Sequence, residues 1–315
     1  MVEASLCRCC GNTMSIVSTE TVNGYVPWRC SSCGHEHFHS SATAVVSEMY
    51  AADSDYKADL AVAADYRALL QWAHLTATED ILLEKRAEPL RVLDVGCFNG
   101  FYVRHLRELG LNAFGVDFNA SAVAYGQRVY GLGGVISTRE LQDLLAAGES
   151  FDVVTMFEVV EHLEDFSAVI AEVCELLRPG GILVVSVPNS HMFWRPRLDR
   201  PPHHLSRFSP ESLRRLARQH GLSVLSVHEQ MSLYDFLRNY AGSWFRDEAQ
   251  SSMRGGSFRY PGLANAARRG VNRCKRLGNL LLTPLNAIAY RFGFRYISQV
   301  MIARADGNAK QGPPL

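Results

Sequence analysis

The stretch FEVVEHLED, residues 157–165, sets Glu158, Glu161, His162, Glu164 and Asp165 directly behind an apolar run. Glu158, Glu161 and His162 are groups that accept a proton or ligate a cation, brought within five residues. Further along, PPHHLSRFSPESLRRLARQHG places His203 and His204 in a loop just ahead of Ser209-Pro210, which reads as an N-cap and first helical position. Imidazoles from that loop can meet the Glu/His cluster across a pocket. Three uses compete. Glu161, Glu164 and Asp165 can open a helix and favour its dipole, with His162 merely packed. Alternatively His162 or His204 is a general base for an attacking hydroxyl. Thirdly, Glu158, Glu161 and His162 with His203 or His204 bind a divalent ion, Mg²⁺ or Mn²⁺, that acidifies that hydroxyl. His162, His204 and Glu161 are the residues expected to carry catalysis.

A second constellation is made of cysteine. Of eight cysteines, five fall in the first 33 residues, in two knuckles, Cys7-x-x-Cys10-Gly11 and Cys30-x-x-Cys33-Gly34. Each knuckle turns two thiolates toward one centre, and two of them complete a tetrahedral four-sulfur zinc site. Cys9 is left over. With a full coordination sphere the expected zinc is structural.

The elements that must position these groups follow in order. The chain has 315 residues, 47% of them hydrophobic, enough to bury a sizeable core. Residues 1–41 read as the zinc ribbon and 42–88 as a helical lead-in, with Leu60, Ala64, Leu69 and Trp72 at helical spacing and Pro89 closing it. Residues 89–232 form a core of alternating elements: strand LRVLDVG, helix CFNGFYVRHLRELG, strand NAFGVDFN, helix ASAVAYGQRVYG, short strand GVIS, strand FDVVTMF, helix SAVIAEVCELLRPGG and strand ILVVSVPN. That alternation implies an α/β fold with a doubly wound, mostly parallel sheet. Residues 233–295 read as a helical, partly basic insertion, and 296–315 as the last strand, YISQVMIARA, with a tail. In such sheets ligands bind beyond the carboxyl ends of the strands, where Asp94, Asp117 and Glu158 all fall.

The turn VLDVGCFNGF places Asp94 ahead of Gly96, Cys97 and Gly100, with glycines that let backbone approach a ligand closely. A pyrophosphate does not suit it, because Asp94 would repel it and no P-loop lysine is present. An acid there suits a cationic ligand with an amino group, and Asp117 suits ribose hydroxyls. LDVGCFNG, GVDFN, FDVVTMFEVVEHLED and LLRPGGILVVSVPN, in that order, resemble the four motifs of the class I S-adenosylmethionine-dependent methyltransferases, which have a Rossmann-like sheet. The resemblance covers about residues 60–230. It implies that Asp94, Gly96, Cys97 and Gly100 line the methionine part of the cofactor, that Asp117 holds the ribose, and that Phe118 packs near the adenine. The Glu/His cluster is similar to that of ubiquinone-biosynthesis O-methyltransferases and of small-RNA 2′-O-methyltransferases, with Glu158, Glu161, His162 and His203 as the possible metal set.

The acceptor is less constrained. An Asn-Pro-Pro-Tyr-type motif that holds a base nitrogen is missing after FDVVTM, so methyl transfer to oxygen is expected. A ribbon ahead of such a domain resembles enzymes of glycan and natural-product assembly, so a sugar or glycan hydroxyl is the expected acceptor, ahead of an RNA 2′-oxygen and a quinone or phenol. A non-catalytic zinc-ribbon interaction protein on this scaffold is the alternative from another class. Lys+Arg and Asp+Glu number 32 each, yet residues 254–295 hold nine Lys/Arg and no acid. There Leu277, Leu281, Leu285, Ile288 and Phe292 make a helical stripe behind Arg268, Arg269, Arg273, Lys275 and Arg276, with Thr283-Pro284 expected to split it into two helices. The stripe either packs on the sheet or, over 268–292, belongs to a surface that meets an anionic partner: a membrane surface first, a nucleotide diphosphate, or RNA phosphates, RNA being the less favoured. No apolar run has the roughly 18–20 residues that cross a bilayer, and no signal pattern opens the chain, so the expected location is cytoplasmic, peripheral at the membrane if that surface is used.

Overall fold

The computed structural model describes residues 6–40, 73–82, 89–196, 199–240, 277–278 and 280–306. The lead-in over 42–88 therefore lies outside the described residues except for helix α1 (Ala73–Leu82), and the basic cluster Arg268–Arg276 lies outside them altogether.

Seven strands form the main sheet: β4 (Arg91–Val95), β5 (Asn112–Val116), β6 (Ile136–Ser137), β7 (Phe151–Phe157), β8 (Leu177–Pro188), β10 (Leu222–Glu229) and β11 (Ser298–Ala305). Their order is β10-β11-β8-β7-β4-β5-β6. Pairing is parallel from β8 through β6, whereas β11 runs antiparallel to both β8 and β10. Strand order reverses beside β4: the chain builds β5 and β6 on one side, then returns to place β7 and β8 on the other. The crevice at that reversal is where open α/β sheets bind ligands.

These strands are hydrophobic throughout because both faces are covered. Val92, Val153, Ile182, Val184, Val300 and Ile302 share one core with Tyr102, Val103 and Leu106 of α2 (Phe101–Glu108) and Val123 of α3 (Ala120–Val129). The alternate residues Leu93, Val154, Leu183, Val185 and Met301 face Phe166, Ile170 and Val173 of α5 (Phe166–Leu176) and Leu213 and Leu216 of α6 (Pro210–Gln219). Short helix α4 (Leu141–Ala146) joins the same layer. The side-chain period of two along each strand produces the two layers.

Several boundaries differ from the expected ones. Pro179-Gly180-Gly181 does not lie between helix and strand; it falls inside β8, where the register against β7 shifts. Strand β10 was not expected. The ribbon strands β1 (Met14–Ile16), β2 (Tyr25–Cys30) and β3 (Glu36–Ser40) are joined at their edge by β9 (Ser206–Arg207), from the loop that follows β8. The ribbon is thus stitched into the main domain, and Met14 and Trp28 share its core.

Residues 280–291 form one continuous helix, against the expected break at Pro284. Pro284 lies on the exposed side of that helix, so the helix passes it with the ring turned to solvent. The helix turns its smaller residues inward: Asn286 accepts a hydrogen bond from the Leu233 N–H, and Ala289 packs beside Tyr296. The larger stripe, Leu281, Leu285, Ile288 and Phe292, is exposed, so the expectation that it packs on the sheet does not hold. An aromatic cluster of Phe193, Trp194, Phe236, Tyr240, Phe294 and Tyr296 fastens this insertion to the loop after β8. No helix among the described residues is long and apolar enough to cross a membrane.

Candidate active site

Two loops close over the crevice, one after β4 and one after β7. Gly96 has φ 78°, and a Cβ there would lie 2.3 Å from Val159 Cγ2 in the opposite loop. The glycine is required by the protein's own packing as well as by close approach to a ligand. Across the crevice Glu158 adopts φ 55°, as Phe98 does at φ 52°. Non-glycine residues held there cost about 1–3 kcal/mol each and cluster where geometry serves function.

Asp94 is buried at the end of β4, and its Oδ1 accepts the Thr155 hydroxyl at 2.6 Å. Burial, reinforced by Asp117, pushes its carboxyl up to about 7 against the opposing Thr155 bond. Asp117 follows β5 and accepts the Phe98 N–H at 2.8 Å and the Asn119 N–H at 2.7 Å, so it ties the glycine turn to α3. Burial raises its carboxyl too, against those two bonds. Phe118 stands exposed beside it. Asp94, Gly96, Asp117 and Phe118 therefore gather around this turn at the strand ends, whereas a Cβ on Gly100 would meet Leu132 at 2.7 Å and Ile136 at 3.0 Å, so that glycine is required by core packing. Cys97 does not line the crevice. Its side chain is buried in the sheet core, where a Cβ on Gly115 would touch its sulfur at 2.7 Å, and its N–H is given to the Val116 carbonyl. Tight packing between turn and strand turns Cys97 inward.

On the other side, the acids after β7 divide their roles. Asp165 caps α5 by accepting the Ala168 N–H at 3.2 Å, as the helix-start reading expects. Glu161, in the 3₁₀ turn Val160–His162, is wholly buried, and neither carboxylate oxygen has a hydrogen-bond partner among the described residues. Burial and then the Glu158 carboxyl push it well above the ordinary carboxylate range. Glu158 accepts the Ser186 hydroxyl at 3.0 Å, and burial raises its carboxyl to about 7.

His162 Nε2 lies 3.9 Å from Glu161 Oε1, and its ring meets that of His204 edge-on at 4.6 Å between centroids. Burial and then the His204 ring depress His162 to about 3, against the backbone bonds from His203 and Glu158. Its Nδ1 bonds to the His203 carbonyl at 2.6 Å, while His204 Nδ1 bonds to Asp199 Oδ1 at 2.9 Å. Burial alone would raise Asp199, yet the His204 bond, Arg195 and Arg207 outweigh it and hold the carboxylate ionised. Glu161, His162 and His204 offer ligand atoms within 4.8 Å of one another. His204 thus takes the place expected for His203, whose backbone carbonyl serves instead. Glu158 stands beside this set without belonging to it. Asp199 went unanticipated, although its spacing of five residues before His204 was visible. An imidazole whose Nδ1–H is given to a carboxylate or carbonyl presents Nε2 as the ligating nitrogen, the arrangement around metal-bound histidine.

The cysteines meet as expected. Cys7 and Cys33 sulfurs are 3.6 Å apart, as are those of Cys10 and Cys30, and all four lie within 4.8 Å of one another. A zinc tetrahedron with bonds of about 2.3 Å has edges of about 3.8 Å, so the donor set fits. Cys9 and His35 form a second possible set that shares Cys7.

Residues 65–227 match the family model described as Methyltransferase domain. The ubiquinone biosynthesis O-methyltransferase of Cereibacter sphaeroides is 34% identical over 153 residues, 43% of this chain and 61% of that protein. That of Mesorhizobium japonicum is 35% identical over 105 residues, 32% of this chain and 42% of its own length. These matches thus span about half the length of those relatives. A probable S-adenosylmethionine-dependent methyltransferase of Mycolicibacterium smegmatis is 29% identical over 176 residues, 54% of this chain and 68% of that one. Among solved structures, the Haemonchus contortus phosphoethanolamine N-methyltransferase 2 in complex with S-adenosyl-L-methionine shares the fold, with a TM-score of 0.51, 13% identity, and coverage of 86% of this chain and 62% of that one. Sheet order, the acid-and-glycine turn at the strand reversal and the match over half the chain agree: this chain belongs to the S-adenosylmethionine-dependent methyltransferases.

Proposed function

We propose that the chain transfers the methyl group of S-adenosylmethionine to a hydroxyl oxygen, with Glu161, His162 and His204 at the acceptor side. The observation that carries this is the Glu161 carboxyl, buried with both oxygens unpartnered beside two imidazoles. A buried carboxylate without a partner is costly, and a proton or a cation relieves it. Asp94 and Asp117 face the ammonium and ribose of the cofactor. The acceptor hydroxyl lies over the Glu158–His162 turn; its oxygen takes the methyl group as the carbon–sulfur bond breaks, S-adenosylhomocysteine leaves as the neutral thioether, and the hydroxyl proton passes to solvent water. His162 Nε2 lies close to Glu161 and His204, a geometry that supports His162 as a ligand. Glu161, His162 and His204 would hold Mg²⁺ or Mn²⁺, which when bound supplies polarisation of the hydroxyl. Zinc in the cysteine ribbon would be structural.

For the acceptor, the ribbon ahead of the domain supports a sugar or glycan intermediate. The names of the Cereibacter and Mesorhizobium relatives favour a phenol or quinol as the second reading. Transfer of labelled methyl from S-adenosylmethionine into nucleotide sugars, lipid-linked glycans, catechols and RNA, side by side, separates them. Label entering only a nitrogen or carbon position would overturn the oxygen reading. EDTA should stop the reaction and Mg²⁺ or Mn²⁺ restore it in protein shown still folded; indifference to EDTA returns the proton to His162 or His204.

A further inference from the structure

The ribbon reaches the active site by a continuous set of contacts. The Leu205 carbonyl accepts the Phe38 N–H from β3 at 2.8 Å, and the Leu205 N–H donates to the Glu161 carbonyl at 2.8 Å. One residue is therefore clamped between ribbon and active-site turn. Beside it, Glu36 of β3 pairs in register with Arg207 of β9. Arg207 Nη1 donates to Glu36 Oε2 at 3.1 Å and Nη2 to the Asp199 carbonyl at 3.3 Å, with the guanidinium 4.7 Å over the Phe38 ring. Asp199 in turn holds Nδ1 of His204 and is held by Arg195.

Glu36 and Asp199 are both buried. Arg29 also bonds Glu36 from the solvent side, so the Glu36 carboxylate is pinned between two guanidiniums. Buried charges kept in such a line fix geometry, because removing any member leaves its neighbour uncompensated. A planar fork can bridge two acceptors at a set angle where an ammonium cannot. A ribbon serving only as a stability clamp would need neither the carboxylate nor the fork.

We propose that Glu36, acting through Arg207 and Asp199, is a positioning residue for the His204 imidazole, which makes the cysteine ribbon the back wall of the methyl-transfer site. This rests on the reading that His204 works in the site.

The test uses full-length protein with ¹⁵N-labelled histidine. Long-range nitrogen–proton NMR reports the His204 tautomer, its signal identified by loss in His204→Gln. The wild type should show the Nδ1–H form. In Glu36→Gln the Nδ1–H to Nε2–H ratio should fall about tenfold, the scale of one charge-assisted bond, with affinity for S-adenosylmethionine within twofold of wild type. Glu211→Gln, which removes a surface pair with Arg215, should change neither. Arg207→Lys keeps a charge beside Glu36 and loses the bridge, so it should shift the tautomer as Glu36→Gln does; it decides the matter if Glu36→Gln fails to bind cofactor. A wild-type tautomer in the folded variant overturns the proposal. Mn²⁺ titrated as a probe and followed by its EPR signal should bind about tenfold more weakly to Glu36→Gln. No Mn²⁺ binding by the wild type would defeat the metal reading above, and the tautomer would still decide this one.

Discussion

Asp94→Asn isolates one buried carboxyl and its coupling to the cofactor. Asp94 is almost fully buried, and its pKa stands at about 7 against an ordinary 3.8. Moving from 3.8 to about 7 corresponds to about 4 kcal/mol, at 1.36 kcal/mol for each tenfold change in proton affinity. The sign follows from which state holds the proton. Folded protein binds it more tightly, so the contribution of Asp94 is fully present below pH 4 and is lost as pH rises to 7, with no further change above. Asparagine keeps an acceptor for the Thr155 hydroxyl but cannot ionise. Without cofactor, the variant should match wild type near pH 4 and exceed it by up to about 4 kcal/mol at pH 8. Cofactor should reverse the preference, because the ammonium proposed to sit beside Asp94 demands the ionised form. At pH 6 binding of S-adenosylmethionine to the wild type should release close to one proton, and affinity should fall about tenfold per pH unit below 7. Urea denaturation at both pH values gives the first quantity. Calorimetry in buffers of different ionisation enthalpy gives the second. Glu158 and Glu161 titrate upward as well, so the difference between the two proteins is the quantity to read. A wild type that releases no proton at pH 6, or a variant with the same pH dependence, would refute the reasoning.

Other outcomes are expected from single side chains. Purified without chelator, the protein should carry about one zinc in the ribbon, lost in Cys30→Ser; metal analysis finding it retained would exclude the four-cysteine site. Asp117→Ala should weaken S-adenosylmethionine binding by about 1.5–3 kcal/mol, since it strips the proposed ribose contact together with the tie to the Phe98 and Asn119 amides; unchanged calorimetric affinity would count against the cofactor side. Glu161→Gln should lower turnover by about 10²-fold or more while raising the melting temperature, because a neutral amide replaces an unpartnered acid; a variant both active and no more stable would deny Glu161 its role. Serine at Leu281, Leu285, Ile288 and Phe292 together should abolish sedimentation with anionic vesicles; wild-type protein that ignores such vesicles at low salt shows the stripe has no lipid-facing use.

Much of the core was legible because its signals are local. Alternating apolar runs and Pro or Gly breaks mark β4, β5 and β7, and an acid at each strand end marks Asp94, Asp117 and Glu158. Cysteine spacing likewise identifies the ribbon knuckles. What the sequence hid depends on contacts far apart in the chain. Strand β9 is two residues long and exists only because β3 offers it an edge. The choice of His204 over its neighbour His203 is made by Asp199 and by the carbonyl that His162 needs. Cys97 faces the core because Gly115 leaves room for its sulfur, which no property of the turn itself announces. The stripe on 280–291 has clear helical period, yet periodicity cannot say which side meets protein, and here the smaller residues do.

Strand β11 lies between β8 and β10 and runs against both, although β8 ends at residue 188 and β11 begins at 298. During synthesis the parallel strands can assemble as soon as β8 has emerged, but β8 then borders water with a row of unsatisfied amides and carbonyls. Such an edge recruits other chains, and it stays open until Ser298–Ala305 leaves the ribosome. The insertion that fastens to the loop after β8 is made during this interval, so the nascent chain is most vulnerable to self-association just before its final strand arrives. A stop codon ahead of Ser298 would therefore yield an aggregating polypeptide and not a shortened, soluble enzyme.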